Sequence, residues 1–136
     1  MISGSALAVG TDIVAVDRIK QALSGWQADF LQRVFTPDEI TQIDPDAPDY
    51  EKAAGFWAAK EAMVKALGCG FREGIRFHDM EVTHNHYGAP QIVTHGQVKN
   101  LLAQHHAAQT ALSISHCRTY AIAVVAIIAH HSFNRA

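Results

Sequence analysis

Phe56-Trp57-Ala58-Ala59-Lys60-Glu61-Ala62-Met63-Val64-Lys65-Ala66-Leu67-Gly68-Cys69-Gly70 reads as an α-helix with a hard stop. Ala, Met, Leu, Glu and Lys favour helix, and neither Pro nor Gly interrupts Phe56 to Leu67. Gly68 falls where a left-handed C-terminal cap is expected. Phe56, Ala59, Met63 and Leu67 recur at steps of three and four, which gives one apolar stripe for the core. Trp57, Glu61 and Lys65 recur at steps of four on a neighbouring face. Spacing alone allows Glu61 and Lys65 to be an ordinary surface ion pair, worth about 0.2–0.5 kcal/mol. Their Ala-rich, aromatic surroundings equally allow a shallow wall able to hold a ligand.

The 136 residues are expected to form one domain, 1–136, burying roughly two-thirds of the unfolded surface. A formal charge of -2 argues against nucleic-acid binding through a general basic surface. Met1-Ile2-Ser3-Gly4-Ser5 has no basic region ahead of an apolar run, so no secretory signal is expected. The longest apolar run, Ala121 to Ala129, is about half of a membrane span, so no membrane partner is expected. Cys69 and Cys117 lack CxxC spacing, which suits a reduced, cytoplasmic compartment. The histidine pairs at 84 and 86, 105 and 106, and 130 and 131 have no Cys or acid at metal-site spacing and are expected on the surface.

Leu7 to Val14 is rich in β-branched residues and reads as a buried strand. Asp12 inside it costs several kcal/mol unless paired, hydrogen-bonded or coordinated; a buried cap for amides and a metal ligand are both open. A short helix is expected over Asp17 to Leu23, interrupted by Ser24-Gly25, after which Trp26, Phe30, Leu31 and Val34 continue an apolar pattern to Phe35. Thr36-Pro37-Asp38-Glu39 is a capping box with Pro at the first helical position. Asp44 to Asp49 is a loop, and the helix quoted above follows it. Downstream, His78 to His84 and Gln91 to Thr94 make a hairpin, Gln97 to Ala107 a helix, and Ala111 to His116 with Thr119 to Ile128 a second, more deeply buried hairpin. The expected class is α+β.

Four motifs in order carry a resemblance. They are Val9-Gly10-Thr11-Asp12-Ile13-Val14 with Arg18-Ile19; Phe56 to Ala62 with Lys65 and Gly68; Gly88-Ala89-Pro90; and Ser113-Ile114-Ser115-His116 ahead of Tyr120-Ala121-Ile122-Ala123. Together they resemble the 4′-phosphopantetheinyl transferases, and their intervals resemble the small holo-acyl-carrier-protein synthase branch. The resemblance implies an antiparallel sheet packed on a long central helix. It implies transfer of 4′-phosphopantetheine from coenzyme A to a serine of apo acyl carrier protein, with release of adenosine 3′,5′-bisphosphate.

The same resemblance implies Mg²⁺ held by Asp12 and Glu61, and catalytic roles for Glu61, Lys65 and His116. It implies a coenzyme A site drawing on Lys52, Lys60, Lys65, Gly68, Gly70, Pro90 and His116. It implies docking of the acidic carrier protein on Arg18, with Trp26 or Phe30 beside it, and a homotrimer with coenzyme A lying between subunits. Val14 stands where the larger two-lobed branch has a second acid, which favours the small branch. Phe56 and Ala89 stand where relatives often carry basic residues for the coenzyme A phosphates, leaving Lys52, Lys60 or Arg72 as substitutes. The rival from another class is a non-catalytic module that keeps the fold and binds a carrier protein or nucleotide. Asp12, Glu61 and Lys65 together argue against it, since such a module has no chemical need for all three.

Overall fold

Residues 6–25 and 27–129 are described by the computed structural model. They form β1 (Ala6–Ala15), α1 (Val16–Gly25), α2 (Gln27–Val34), α3 (Pro37–Ile43), α4 (Tyr50–Leu67), β2 (Met80–His84), β3 (Pro90–Thr94), α5 (Gly96–Gln104), β4 (Ala107–His116) and β5 (Tyr120–Ala129). Local chemistry sets the ends of the helices. The Thr36 hydroxyl accepts from Glu39 N while Glu39 reaches back to Thr36 N, the reciprocal box that starts α3. Asp49 accepts from Lys52 N at 3.0 Å to start α4, and Gly68, at φ 82°, ends it.

Antiparallel pairing joins β1 to β5 from Ala6↔Ile128 to Ala15↔Tyr120, and β4 pairs on the other edge of β5. The three-stranded sheet therefore runs β1-β5-β4, and β2 and β3 form a separate two-stranded hairpin. α4 lies across the inner face of the larger sheet. Its Ala53, Ala54, Phe56, Ala58, Ala59, Ala62 and Met63 are buried, together with Val14, Ala121, Ala123 and Val125 of the sheet. Small residues on both sides let the backbones approach closely. A Cβ on Gly10 would sit 2.0 Å from the Ala62 carbonyl oxygen and 2.6 Å from Ala66 N, so β1 touches the second half of α4 directly. The first half rests on β4, where a Cβ on Gly55 would meet Ile114 Cγ2 at 3.0 Å.

Three expectations need correction. The first strand, expected to be buried, is buried on one face only, with Val9 59% and Ile13 63% exposed on the other. The helix expected over Gln97 to Ala107 stops at Gln104, because His106 takes a left-handed φ of 56° and Ala107 pairs with Ala129; sheet pairing overrides helix propensity there. The second hairpin is buried on one face only. Ala121, Ala123 and Val125 are buried under α4, whereas Tyr120, Ile122 and Val124 are exposed on the opposite face, which no other element of the described residues covers.

Gly10→Ala tests the close approach. The added methyl has no space between β1 and the α4 backbone, so the variant should lose about 1–3 kcal/mol in urea or thermal unfolding through overpacking. A variant as stable as the parent would show that the strand and helix do not meet as described.

Candidate functional site

On the strand flank of α4, Asp12 points inward from β1 and is only 13% exposed. It accepts from Lys65 Nζ at 3.0 Å. Lys65 thus pairs across to the strand, and the surface Glu61–Lys65 pair allowed by spacing is not the ion pair that forms. Lys65 itself is 57% exposed, so this contact joins a solvent-exposed ammonium to a largely buried carboxylate. Glu61 stands one turn before Lys65 on α4. Burial, and next the Asp12 charge, push its carboxyl above the ordinary value, while Lys65 and Arg18 of α1 pull it down. Two carboxylates, one lysine and one arginine therefore share a single electrostatic neighbourhood built by β1, α1 and α4.

That donor set suits Mg²⁺, which takes one or two carboxylates and completes its shell with water and phosphate oxygens. Among the described residues no group of three or more His, Cys, Asp or Glu could hold a metal ion, so a closed zinc-type site finds no support there.

The other flank of α4 carries a cleft of about 210 Å³ lined by residues that include Lys52, Phe56, His84, Pro90 and His116. His116, at the end of β4, shares a 2.8 Å hydrogen bond with Glu51 through Nδ1. Phe56 is buried as the wall of the cleft, its ring 6.0 Å from that of His84. At about 100° per residue, Lys52 and Phe56 project from the side of α4 roughly opposite Glu61 and Lys65. Asp12 and His116 correspondingly stand on strands at opposite edges of the sheet, with β5 between them.

The residues expected at the site divide accordingly. Asp12, Glu61, Lys65 and Arg18 converge on the strand flank; Lys52, Pro90 and His116 converge on the other. Gly68 and Gly70 are exposed just past α4, with open space where a Cβ would lie. Arg72 is exposed in the loop that follows. Lys60 is a correction: it is fully buried, bonded to Glu39, Phe77 O and Met80 O, and cannot reach a ligand. Trp57 is another, since it stacks on Phe77 at 5.3 Å and lies 5.6 Å from Phe30, so the aromatic wall is covered from within. Phe30 is half-buried in that cluster, and Trp26 lies outside the described residues. Glu51 is not named from the sequence, His84 is expected only as a surface histidine, and Gly10 is quoted only within a motif; of these Gly10 carries a signal, a glycine inside a strand that marks close backbone approach.

Comparison with known proteins identifies the family and the fold. The model of the 4′-phosphopantetheinyl transferase superfamily matches residues 8–125. A holo-[acyl-carrier-protein] synthase of Verminephrobacter eiseniae is 41% identical over 119 residues, covering 88% of this chain and 91% of the relative. The Helicobacter pylori holo-[acyl-carrier-protein] synthase in complex with coenzyme A superposes with a TM-score of 0.77 at 32% identity, covering 88% of this chain and 98% of that one. A Bacillus anthracis holo-(acyl-carrier-protein) synthase in complex with CoA (3′,5′-ADP) gives 0.74 at 29% identity, covering 92% and 98%. With its strand aspartate and helix glutamate in one charged neighbourhood on an α+β frame shared with these enzymes, the chain belongs to the 4′-phosphopantetheinyl transferase superfamily.

Proposed function

We propose that the chain is a holo-acyl-carrier-protein synthase that moves 4′-phosphopantetheine from coenzyme A to a serine of apo acyl carrier protein. The observation that carries this reading is the convergence of Asp12, Glu61 and Lys65 from β1 and α4. The seryl oxygen bonds to the β-phosphorus, the bond from that phosphorus to the bridging oxygen breaks, and adenosine 3′,5′-bisphosphate departs. Asp12 and Glu61 would hold Mg²⁺, which when bound would neutralise and polarise the pyrophosphate. Lys65 has an exposed head group that can leave Asp12 to meet the charge growing on the leaving phosphate. Glu61, or a water it holds, takes the seryl proton.

The cleft on the opposite flank supports a shared site. Asp12 and Glu61 lie across the body of α4 from Lys52, Phe56 and His116, so we assign the adenosine end of coenzyme A to the cleft of a neighbouring subunit. The outer sheet face supports that assembly. Val9 is 59% exposed and Ile13 63%, and with Tyr120, Ile122 and Val124 they form an apolar surface larger than isolated exposed side chains would give. A homotrimer is the assembly we assign. Arg18 is exposed on α1 beside the acid pair, where it can steer an acidic carrier protein toward the reacting groups. No helix of the described residues is long and apolar enough to cross a membrane, and Cys69 and Cys117 are free thiols; the cytoplasm is the compartment assigned.

Mass spectrometry of apo carrier protein after incubation with coenzyme A and Mg²⁺ tests the function: the carrier should gain one phosphopantetheine. Asp12→Ala and Glu61→Ala should remain folded and leave the carrier mass unchanged; near-normal transfer by either would remove it from the site. Sedimentation should give about three times 14.8 kDa, and Ile13→Asp should yield a folded protein of lower mass with little transfer. A fully active monomer contradicts the shared site.

Acidity supplies a separate check. Between the ordinary 4.5 and the raised value of Glu61, the folded chain binds a proton that the unfolded chain releases. Stability from this group is therefore present below 4.5 and lost as pH rises through the folded value. Without metal, Glu61→Gln should melt above the parent near neutral pH, and the two should converge on acidification below 4.5. An advantage that does not change with pH would contradict the burial assigned to Glu61.

A further inference from the structure

The most completely satisfied polar cluster in the described residues lies outside the reacting groups. Lys60 and Glu39 are both fully buried and pair at 2.8 Å. Lys60 Nζ also donates to Met80 O at 2.6 Å and Phe77 O at 3.1 Å, which uses all three of its donors. Glu39 Oε1 accepts from Thr36 N at 2.9 Å and Oε2 from Val82 N at 2.6 Å. The Thr36 hydroxyl donates to Glu81, whose other carboxylate oxygen lies 3.3 Å from His95 Nε2. One cluster thus fastens α4 to the start of α3, the turn before β2, and β2 itself.

Burying such a pair is a weak means of gaining stability, because desolvation offsets most of the attraction; register and orientation are the better attested uses of a buried pair. Here the geometry supplies an orientation to fix. At about 100° per residue, Lys60 leaves α4 on the side roughly opposite Ala62 and Ala66, the residues in contact with Gly10. The helix is gripped by the sheet on one side and by the Lys60 cluster on the other, with Glu61 and Lys65 in the gap between the two grips. The contact at Gly10 sets how close α4 comes to β1, but a contact through small residues does not by itself fix the roll of the helix. A roll of about 20° would move a side-chain tip by about 2 Å, enough to take the Glu61 carboxylate out of a shared coordination shell with Asp12.

We propose that the buried Lys60–Glu39 pair is a positioning device that sets the roll of α4, and through it the aim of Glu61 at Asp12. The proposal rests on the assignment of Asp12 and Glu61 as the metal carboxylates. Neither Lys60 nor Glu39 touches coenzyme A, carrier protein or metal. Their effect on the reaction passes through the backbone of α4, where Lys60 is the immediate neighbour of Glu61.

The test is the Glu39→Gln/Lys60→Met double variant, which removes both charges at similar volume and leaves no unpaired ion. Mn²⁺ binding by electron paramagnetic resonance, without coenzyme A, reads the aim of the carboxylates independently of turnover. Steady-state transfer supplies kcat and the KM for carrier protein. The variant should melt cooperatively, bind Mn²⁺ about tenfold more weakly and lose about tenfold in kcat, as outer-shell changes do, with the carrier KM unchanged. Glu39→Asp keeps both charges and shortens the arm by one methylene; it should show the same pattern at about threefold, which keeps the test alive if the double variant does not fold. Cooperative melting with Mn²⁺ affinity and kcat within about twofold of the parent overturns the proposal, because packing of Trp57 against Phe77 would then suffice to hold the roll. A parent that neither binds Mn²⁺ nor transfers fails the functional reading instead, a distinguishable result.

Discussion

The contact between Gly10 and the backbone of α4 at Ala62 and Ala66 governs much of the remaining structure. A helix packed on the strand through larger side chains would stand farther from it, and Asp12 farther from the helix that carries Glu61. Removing the Cβ at one strand position and using alanine on the helix brings the two backbones together. Two carboxylates then share one field without a third acidic residue. The cost is electrostatic and is visible in Glu61, whose carboxyl is pushed upward by burial and by Asp12. Lys65 and Arg18 offset part of that cost, so two acids and two bases share the site with opposing charges.

Much of this was legible in the residues. The helix from α4 to its stop at Gly68, the capping box at Thr36, the first strand and both hairpins follow from local rules that each act within a few residues. The pairing of Asp12 with the α4 acid came from the family resemblance, because nothing local says which helix a buried aspartate will face. Lys60 shows where local reading fails. Its one-letter context is that of a soluble helix, two residues from Ala62 and beside Glu61, and only the tertiary position of Glu39 and two carbonyl groups makes a fully buried lysine tolerable. The Glu51–His116 bond was hidden for the same reason: its partners are 65 positions apart.

The two flanks of α4 divide labour in a way the sequence motifs conceal. Motif reading places Phe56, Lys60, Glu61 and Lys65 together because they are neighbours in the chain. The helix distributes them to a cleft wall, a buried clamp and a charged site, each in contact with a different part of the fold. Phe56 makes the point chemically. A basic residue there would present a cation to the cleft, whereas the phenyl ring is buried near His84 and leaves Lys52, His84 and His116 beside the acidic Asp49 and Glu51 as the polar side chains of that wall.

The pairing of β1 with β5 has a consequence for how the protein is made. Ala6 lies opposite Ile128, so β1, the first of the described elements in the chain, gains its partner only from β5, the last of them and the central strand of the larger sheet. Contacts this distant in sequence slow folding, because a long loop closes before any of them contributes. Until then α4, rich in alanine and largely buried in the finished fold, has no sheet to lie on, and Asp12 has no helix to face. The neighbourhood of Asp12 and Glu61 therefore takes shape only once β5 has paired between β1 and β4.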